Sequence, residues 1–225
     1  EREPKIDLHH HPIKADFIDG ILTLEGEVKD IAAKKLALEI GATLASVAGI
    51  VDRLKIAAAE HMTDEVILEH VRDALIQEPA LSNCAVRLRL GDRVEVIREP
   101  PAVSGAVEIA VQNGDVLLEG QVPSLSHKRL AGAVAWWVPG TQNVLNCLVV
   151  EPPEEDSDDE MTDALRLVLE KDPFVNADQI RVTSNNRTVT LEGLVSSEAE
   201  SEMAEQDAWY IFGVDRVINK LDVRA

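Results

Sequence analysis

The chain has 225 residues, 45% of them hydrophobic but only 3% aromatic, so it is globular with aliphatic cores and is not a disordered chain. Its 41 acidic and 22 basic residues leave a formal net charge of −19, which keeps it soluble and excludes nucleic acid as a partner. No apolar run reaches the roughly 18 residues that a membrane-spanning helix needs. From the N-terminus, residues 1–12 are polar and carry Asp7 with His9, His10 and His11. Adjacent histidines can share a divalent metal, but a solvated segment is the simpler reading. Gly20 then marks a tight hairpin turn, because such turns need positive φ. Leu24-Glu25-Gly26-Glu27-Val28 ends that hairpin, and Asp30 caps a helix. Ala37, Gly41 and Leu44 lie on one face of it. Ser46 stands where a terminating glycine is expected and Gly49 follows, which predicts a helix about one turn longer. Ile50, Asp52, Leu54 and Ile56 give an alternating strand.

The series then recurs twice. A helix from Thr63 to Gln77 carries Ile67, Val71, Ala74 and Leu75 at helical spacing, with Pro79 after it. Leu88 to Ile97, with Gly91-Asp92 at its turn, predicts an extra hairpin, and Glu99-Pro100-Pro101 breaks it. Gly114 marks the next turn, Leu118-Glu119-Gly120-Gln121-Val122 ends the hairpin, and Ser124 caps a helix that stops at Gly140. Val144, Asn146, Leu148 and Val150 predict one continuous strand. Eight acids crowd between Glu151 and Asp163, a block that reads as a solvated linker. The third copy has a helix from Met161 to Lys171, a turn at Asn185-Asn186-Arg187, and Leu191-Glu192-Gly193-Leu194-Val195. Ser197 with Glu200 predicts a capping box, Gly213 a helix stop, and Val217, Asn219, Leu221 and Val223 a last strand. Repeats of this size mean an array of like modules. Strand, helix, strand in each copy implies an α+β fold with a right-handed crossover. The boundaries are 1–57, 58–150 with an insertion near 88–108, an acidic linker at 151–158, and 159–225. The first module has no leading helix. Its open sheet face must be covered by another module, a partner, an oligomer contact, or residues outside this sequence.

A helix, a hairpin ending in Leu-x-Gly-x-Val, a second helix, and then Gly-Val-x-x-Val-x-Asn-x-Leu resembles the BON domain family. The third copy fits best, through Val189 to Val195 and Gly213-Val214-Asp215-Arg216-Val217-Ile218-Asn219-Lys220-Leu221. The first keeps Leu24 to Val28 and Ile50-Val51-Asp52-Arg53-Leu54 but loses the leading helix and the asparagine. The resemblance implies tandem αββαβ modules, each a small mixed sheet with helices on one face. It also implies a non-enzymatic role in the bacterial envelope or stress response, binding phospholipid membranes or envelope proteins. A periplasmic or envelope location follows from it. The cytoplasm stays open, because the chain shows no signal peptide.

Motifs for nucleotide binding, nucleophilic catalysis and zinc hydrolysis are absent, and no cofactor is expected. His61, Asp64 and His70 match no standard metal spacing. The two thiols, Cys84 and Cys147, lie in apolar stretches and are expected buried and unbridged. Trp136 and Trp209 share one position in the second and third copies, and Trp137 and Tyr210 share the next. Trp136 lies roughly 100–140° from the inward face set by Ala131 and Ala135, so it points outward or toward another module. Indoles suit module interfaces and bilayer surfaces. Lys29, Lys34 and Lys35 in the first copy, and Lys128-Arg129 in the second, are candidate contacts for anionic lipid, worth about 1 kcal/mol per charge. Ordinary solvated faces are the plainer reading of those lysines. An alternative function is a soluble regulatory module that senses an ion or small ligand between modules.

Overall fold

A computed structural model describes residues 10–58 and 60–224. The chain divides into two compact units, residues 1–59 and residues 60–225.

The first unit runs β1 (Lys14–Ile18), β2 (Ile21–Val28), α1 (Ile31–Thr43), β3 (Gly49–Ile56). β2 is the central strand, antiparallel to β1 and parallel to β3. Asp19 and Gly20 form the turn with φ of 49° and 82°, the double positive φ that a two-residue hairpin of matching twist requires. Asp30 caps α1 by accepting from the Ala33 amide at 2.8 Å. Leu22, Leu24, Val28, Ala33, Ala37 and Leu54 make the core between sheet and helix. The helix does not gain the extra turn expected from Gly49. Leu44 is already extended (φ −72°, ψ 122°), its amide bonds the Gly41 carbonyl, and the Val47 amide bonds back to Leu44. Gly49 instead opens β3.

The second unit contains two modules. One comprises α2 (Asp64–Gln77), β4 (Cys84–Leu90), β5 (Arg93–Arg98), β6 (Gly105–Gln112), β7 (Asp115–Val122), α3 (Leu125–Trp136), β8 (Asn143–Asn146) and β9 (Val149–Val150). The other comprises α4 (Asp158–Lys171), β10 (Ile180–Asn185), β11 (Thr188–Val195), α5 (Glu198–Tyr210) and β12 (Arg216–Val223). Both have the α+β layering expected. In all three copies the parallel partners lie 28 residues apart: Ile21 with Gly49, Asp115 with Asn143, Thr188 with Arg216. One crossover geometry is thus used three times.

The core glycine of each copy has a backbone reason. Gly26, Gly120 and Gly193 have φ of 147°, 117° and 149°. A Cβ there would meet a backbone carbonyl oxygen at or just before the start of the neighbouring strand, Pro12 at 2.7 Å, Ala106 and Gln179 closer still.

The inserted hairpin is longer than the sequence suggested. β4 starts at Cys84, pairs in parallel with β6, and puts β5 at the sheet edge in the order β5-β4-β6-β7-β8. Covered on both faces at its start, β4 buries Cys84, Ala85 and Val86 in succession, so that stretch carries no alternation to read. Arg98 staples the hairpin down by donating to the carbonyls of Cys84, Ile76 and Leu81. The last strand of this module is broken between β8 and β9, and the Cys147 amide bonds the Leu118 carbonyl across the gap. Leu148 takes the inward place there. Cys147 is therefore exposed, against the expectation of two buried thiols, while Cys84 is buried and burial pushes its thiol upward.

The leading helices are pinned to the hairpin turns. The Asp64 carboxylate, in the first turn of α2, accepts from the amides of Asn113 (2.7 Å) and Gly114 (2.9 Å). Asp158 of α4 accepts from Asn186 (2.9 Å) and Arg187 (3.3 Å). From each aspartate, buried apolar residues follow at the third, seventh and eleventh places: Ile67, Val71, Leu75 and Met161, Leu165, Leu169.

Candidate functional site

The aromatic residues singled out in the sequence gather where the second and third modules meet. α3 packs on both α4 and α5. Its small residues Ala131, Gly132 and Ala135 are buried and allow this close approach. Trp136 ends α3, and its ring stacks on Tyr210 of α5, centroids 5.4 Å apart and planes 10° from parallel. Both rings are half-buried. Offset stacking of this kind adds about 0.5–1.5 kcal/mol beyond burial. Trp137 donates through Nε1 to Asp207 Oδ1 at 2.8 Å. Trp209 behaves differently from its sequence counterpart. It is 2% exposed, and its Nε1 donates to Glu205 at 3.4 Å, so its ring lies inside the protein and is not offered to solvent. Phe212, just past Tyr210, is exposed, with Lys128 Nζ 4.2 Å from its ring centroid.

Arg129 sits beneath this patch with a fully buried side chain. Its Nε donates to the Phe212 carbonyl at 3.0 Å and its second guanidinium nitrogen to Asp156 at 2.5 Å. The remaining nitrogen is buried without a partner. The acidic stretch read as a solvated linker is thus tied down. Glu154 accepts from the Leu125 amide, Asp156 from Arg129, and Glu160 from the Ser126 hydroxyl. These carboxylates meet the start of α3, where helix amides need acceptors. Lys171 adds a link between the modules, 2.9 Å from Glu78.

Asp207 is the one strongly perturbed group among the described residues. Burial pushes its carboxyl up to about 8, the neighbouring Asp172 carboxylate adds to the rise, and the Trp137 hydrogen bond opposes it. A carboxyl with a raised folded value keeps its proton in the fold where the unfolded chain, near 3.8, has lost it. Stability from this site therefore falls as pH rises between about 4 and about 8, and levels off above. Asp207→Asn keeps the acceptor for Trp137 and removes the titration. Scanning calorimetry should place its melting temperature several degrees above wild type at pH 9, with a smaller gap at pH 5. An equal gap at both pH values would contradict a neutral Asp207.

The basic candidates are not a common patch. Lys29 is exposed. Lys34 is buried, and its ammonium bonds the Leu54 carbonyl (2.6 Å) and Asp52 (3.0 Å), so it serves its own sheet and cannot contact a headgroup. Lys35 is half-buried. Arg129, likewise, is spent on the module junction. Asp7 and His9 lie outside the described residues. His61 and His70 are exposed, Asp64 is committed to its turn, and no group of three His, Cys, Asp or Glu among the described residues is placed to hold a metal. Half of the expected capping box forms: the Ser197 hydroxyl accepts from the Glu200 amide at 3.2 Å, but the Glu200 carboxylate does not return to the Ser197 amide. It accepts from the Ser196 hydroxyl and the amides of Ser196 and Asn176, which hold its carboxyl low. It floors an open cleft of about 570 Å³ between Phe174, Leu194 and Arg224. Sequence reasoning missed Asp207, which does not break the helical pattern, and took Arg129 for a lipid contact where the structure buries it against Asp156 and Phe212. An acid inside an otherwise small-residue helix face was the only signal for Asp207.

The family model for the BON domain matches residues 5–58, 63–152 and 157–225. Among characterised proteins, the chain is 35% identical over 118 residues to the outer membrane lipoprotein DolP of Haemophilus influenzae. That match covers 51% of this chain and 61% of that protein, so the chain spans less than two thirds of this relative. Two structures of CdsD, a structural protein of the type III secretion system of Chlamydia trachomatis, align at 16% identity. One, its C-terminal domain, has a TM-score of 0.27 over 97% of this chain and 93% of that one. The other scores 0.25 over 96% and 87%. Likenesses this remote carry no weight on fold or function.

Proposed function

Because the chain belongs to the BON domain family, with three matched stretches, we propose that it is a non-catalytic binding and scaffolding protein of the bacterial envelope. Its ligand class is a protein partner or a phospholipid surface. The observation that carries this reading is the half-exposed stack of Trp136 on Tyr210, with Phe212 exposed beside it. Aromatic rings held partly in water at a rigid junction are the residues that drive association when a partner covers them. The likeness to an outer membrane lipoprotein supports the envelope setting.

Between the two ligand classes, the charges favour protein. The net charge is −19, Lys34 is buried against Asp52, and Arg129 is paired with Asp156. Two of the basic candidates are thus already paired, and the net negative charge repels anionic headgroups. The test is co-sedimentation with phosphatidylglycerol-containing and with pure phosphatidylcholine vesicles, using wild type and Trp136→Ala with Tyr210→Ala. Pelleting that the double variant loses would make the aromatic junction a lipid contact. Wild type remaining in the supernatant with both vesicles would remove phospholipid from the proposal and leave the protein partner.

A further inference from the structure

The junction of the second and third modules holds an acid pair with no cation to balance it. Asp207, on α5, is 1% exposed, and Asp172, the residue that ends α4, is 6% exposed. Asp207 Oδ1 accepts from Trp137 Nε1 of α3. Its Oδ2 is buried and meets no donor among the described residues. Asp172 Oδ1 accepts from the Phe174 amide at 2.8 Å, and its carboxyl adjoins that of Asp207. Of the elements packed on α5, α3 brings Asp207 the Trp137 donor, α4 brings Asp172, and β11 and β12 bring it no charge. The basic groups of α3 and α4 are held elsewhere. His127 bonds Ser124, Lys128 lies over Phe212, Arg129 binds Asp156, Arg166 lies 3.6 Å from Asp163, and Lys171 lies 2.9 Å from Glu78.

Two bare carboxylates cannot satisfy each other, because their oxygens only accept. One proton on Asp207 Oδ2 supplies the missing donor to Asp172. It also removes one of two like charges from a dry site, so the pair titrates as a unit. The position gives this proton a structural consequence. Tyr210 lies one turn after Asp207 on α5 and carries the stack on Trp136. One face of α5 therefore holds both indoles at the end of α3.

We propose that Asp172 and Asp207 form a one-proton catch on the aromatic junction: with the proton, the pair holds Trp137 and the end of α3 against α5, and without it the pair releases them. Two charges then face each other away from water, and the site relieves this by admitting water between Trp137 and α5. The earlier part of α3 stays docked through Arg129, so the opening is local. Burial pushes the Asp207 carboxyl up to about 8, so the catch holds at mildly acidic pH and lets go on the alkaline side. Its consequence for partner binding rests on the proposed role of the aromatic junction, whereas the opening itself needs no ligand.

The experiment is hydrogen exchange of the indole N–H groups in the full chain, with isotope-labelled tryptophan, at pH 6 and at pH 9. Trp209 is buried and bonded within α5, so it is the internal reference for the base catalysis of exchange itself. Protection of Trp137 relative to Trp209 should fall at least about tenfold between the two pH values. Asp207→Asn gives Asp172 a permanent donor and keeps the acceptor for Trp137. Asp172→Asn gives Asp207 a donor and keeps the acceptor for the Phe174 amide. Each variant should therefore hold its pH 6 protection at pH 9. If burial of Asp207 acted alone, Asp172→Asn would keep the wild-type pH dependence, and that result overturns the pair. Wild-type protection that stays level with Trp209 at pH 9 overturns the catch. Loss of helical circular dichroism over the same range would mean general unfolding, which also overturns it. These exchange rates involve no vesicle, so the sedimentation result can fail without them, and they without it.

Discussion

Gly193→Ala is expected to cost about 3 kcal/mol or more of stability in the second unit. A side chain at φ 149° is strained whatever the space around it. The added carbon also overlaps the Gln179 carbonyl oxygen, a backbone atom that cannot swing aside. To relieve it, β10 must part from β11 at the end of their ladder, where Ile180 pairs with Gly193. Overpacking of this kind adds about 1–3 kcal/mol to the backbone strain. The transition is convenient to follow, since all three tryptophans lie between Trp136 and Trp209, within this unit. Urea titration by tryptophan fluorescence should give a lower midpoint with an unchanged slope. Gly120→Ala should behave alike, because its Cβ would meet the Ala106 oxygen. A loss below about 1 kcal/mol at both positions would show that the glycines are not held by this clash.

Arg129→Met is the second large effect, expected at about 2–4 kcal/mol. Methionine replaces the stem of the side chain but none of its donors. The Phe212 carbonyl loses its partner, and Asp156, 40% exposed, can only partly rehydrate. The acidic segment should then detach from α3, and the aromatic junction should loosen with it. A red shift in tryptophan emission accompanying the lower melting temperature would report this. Arg129→Lys should rescue little, because one ammonium cannot serve both the carbonyl and the carboxylate from the geometry of a planar fork. The unpartnered guanidinium nitrogen lowers the net worth of the native contact and makes the lower end of the range the better expectation. Native-like melting and emission in Arg129→Met would show that the segment is held by its other contacts, Glu154 and Glu160.

The sites of interest divide in the same way as the fold. Trp136 and Trp209 occupy one repeat position, yet one ring is half-buried in a stack and the other is 2% exposed. Helical periodicity defines the inward face of a single helix. It says nothing of which neighbour covers the rest. Lys34 read as a surface charge for the same reason, since its partners Leu54 and Asp52 lie about 20 residues away on a strand.

What the sequence determined by itself was everything set by local chemistry and repetition. Asp30, Ser124 and Ser197 cap their helices because a short oxygen-bearing side chain satisfies helix amides without help. The Leu-Glu-Gly cores, the turns at Gly20, Gly114 and Asn186-Arg187, and the α+β layering recur because backbone sterics and apolar alternation act within one module. Tertiary structure alone decided the rest. β4 extended the inserted hairpin unread because a strand buried on both faces, as at Cys84, Ala85 and Val86, loses its alternation. The Glu200 carboxylate bonded Asn176, burial raised the Asp207 carboxyl, and the acidic segment closed on α3, because each depends on a donor or a dry surface brought from far along the chain. Burial and pairing are properties of what arrives from elsewhere, and a repeat pattern carries no record of that.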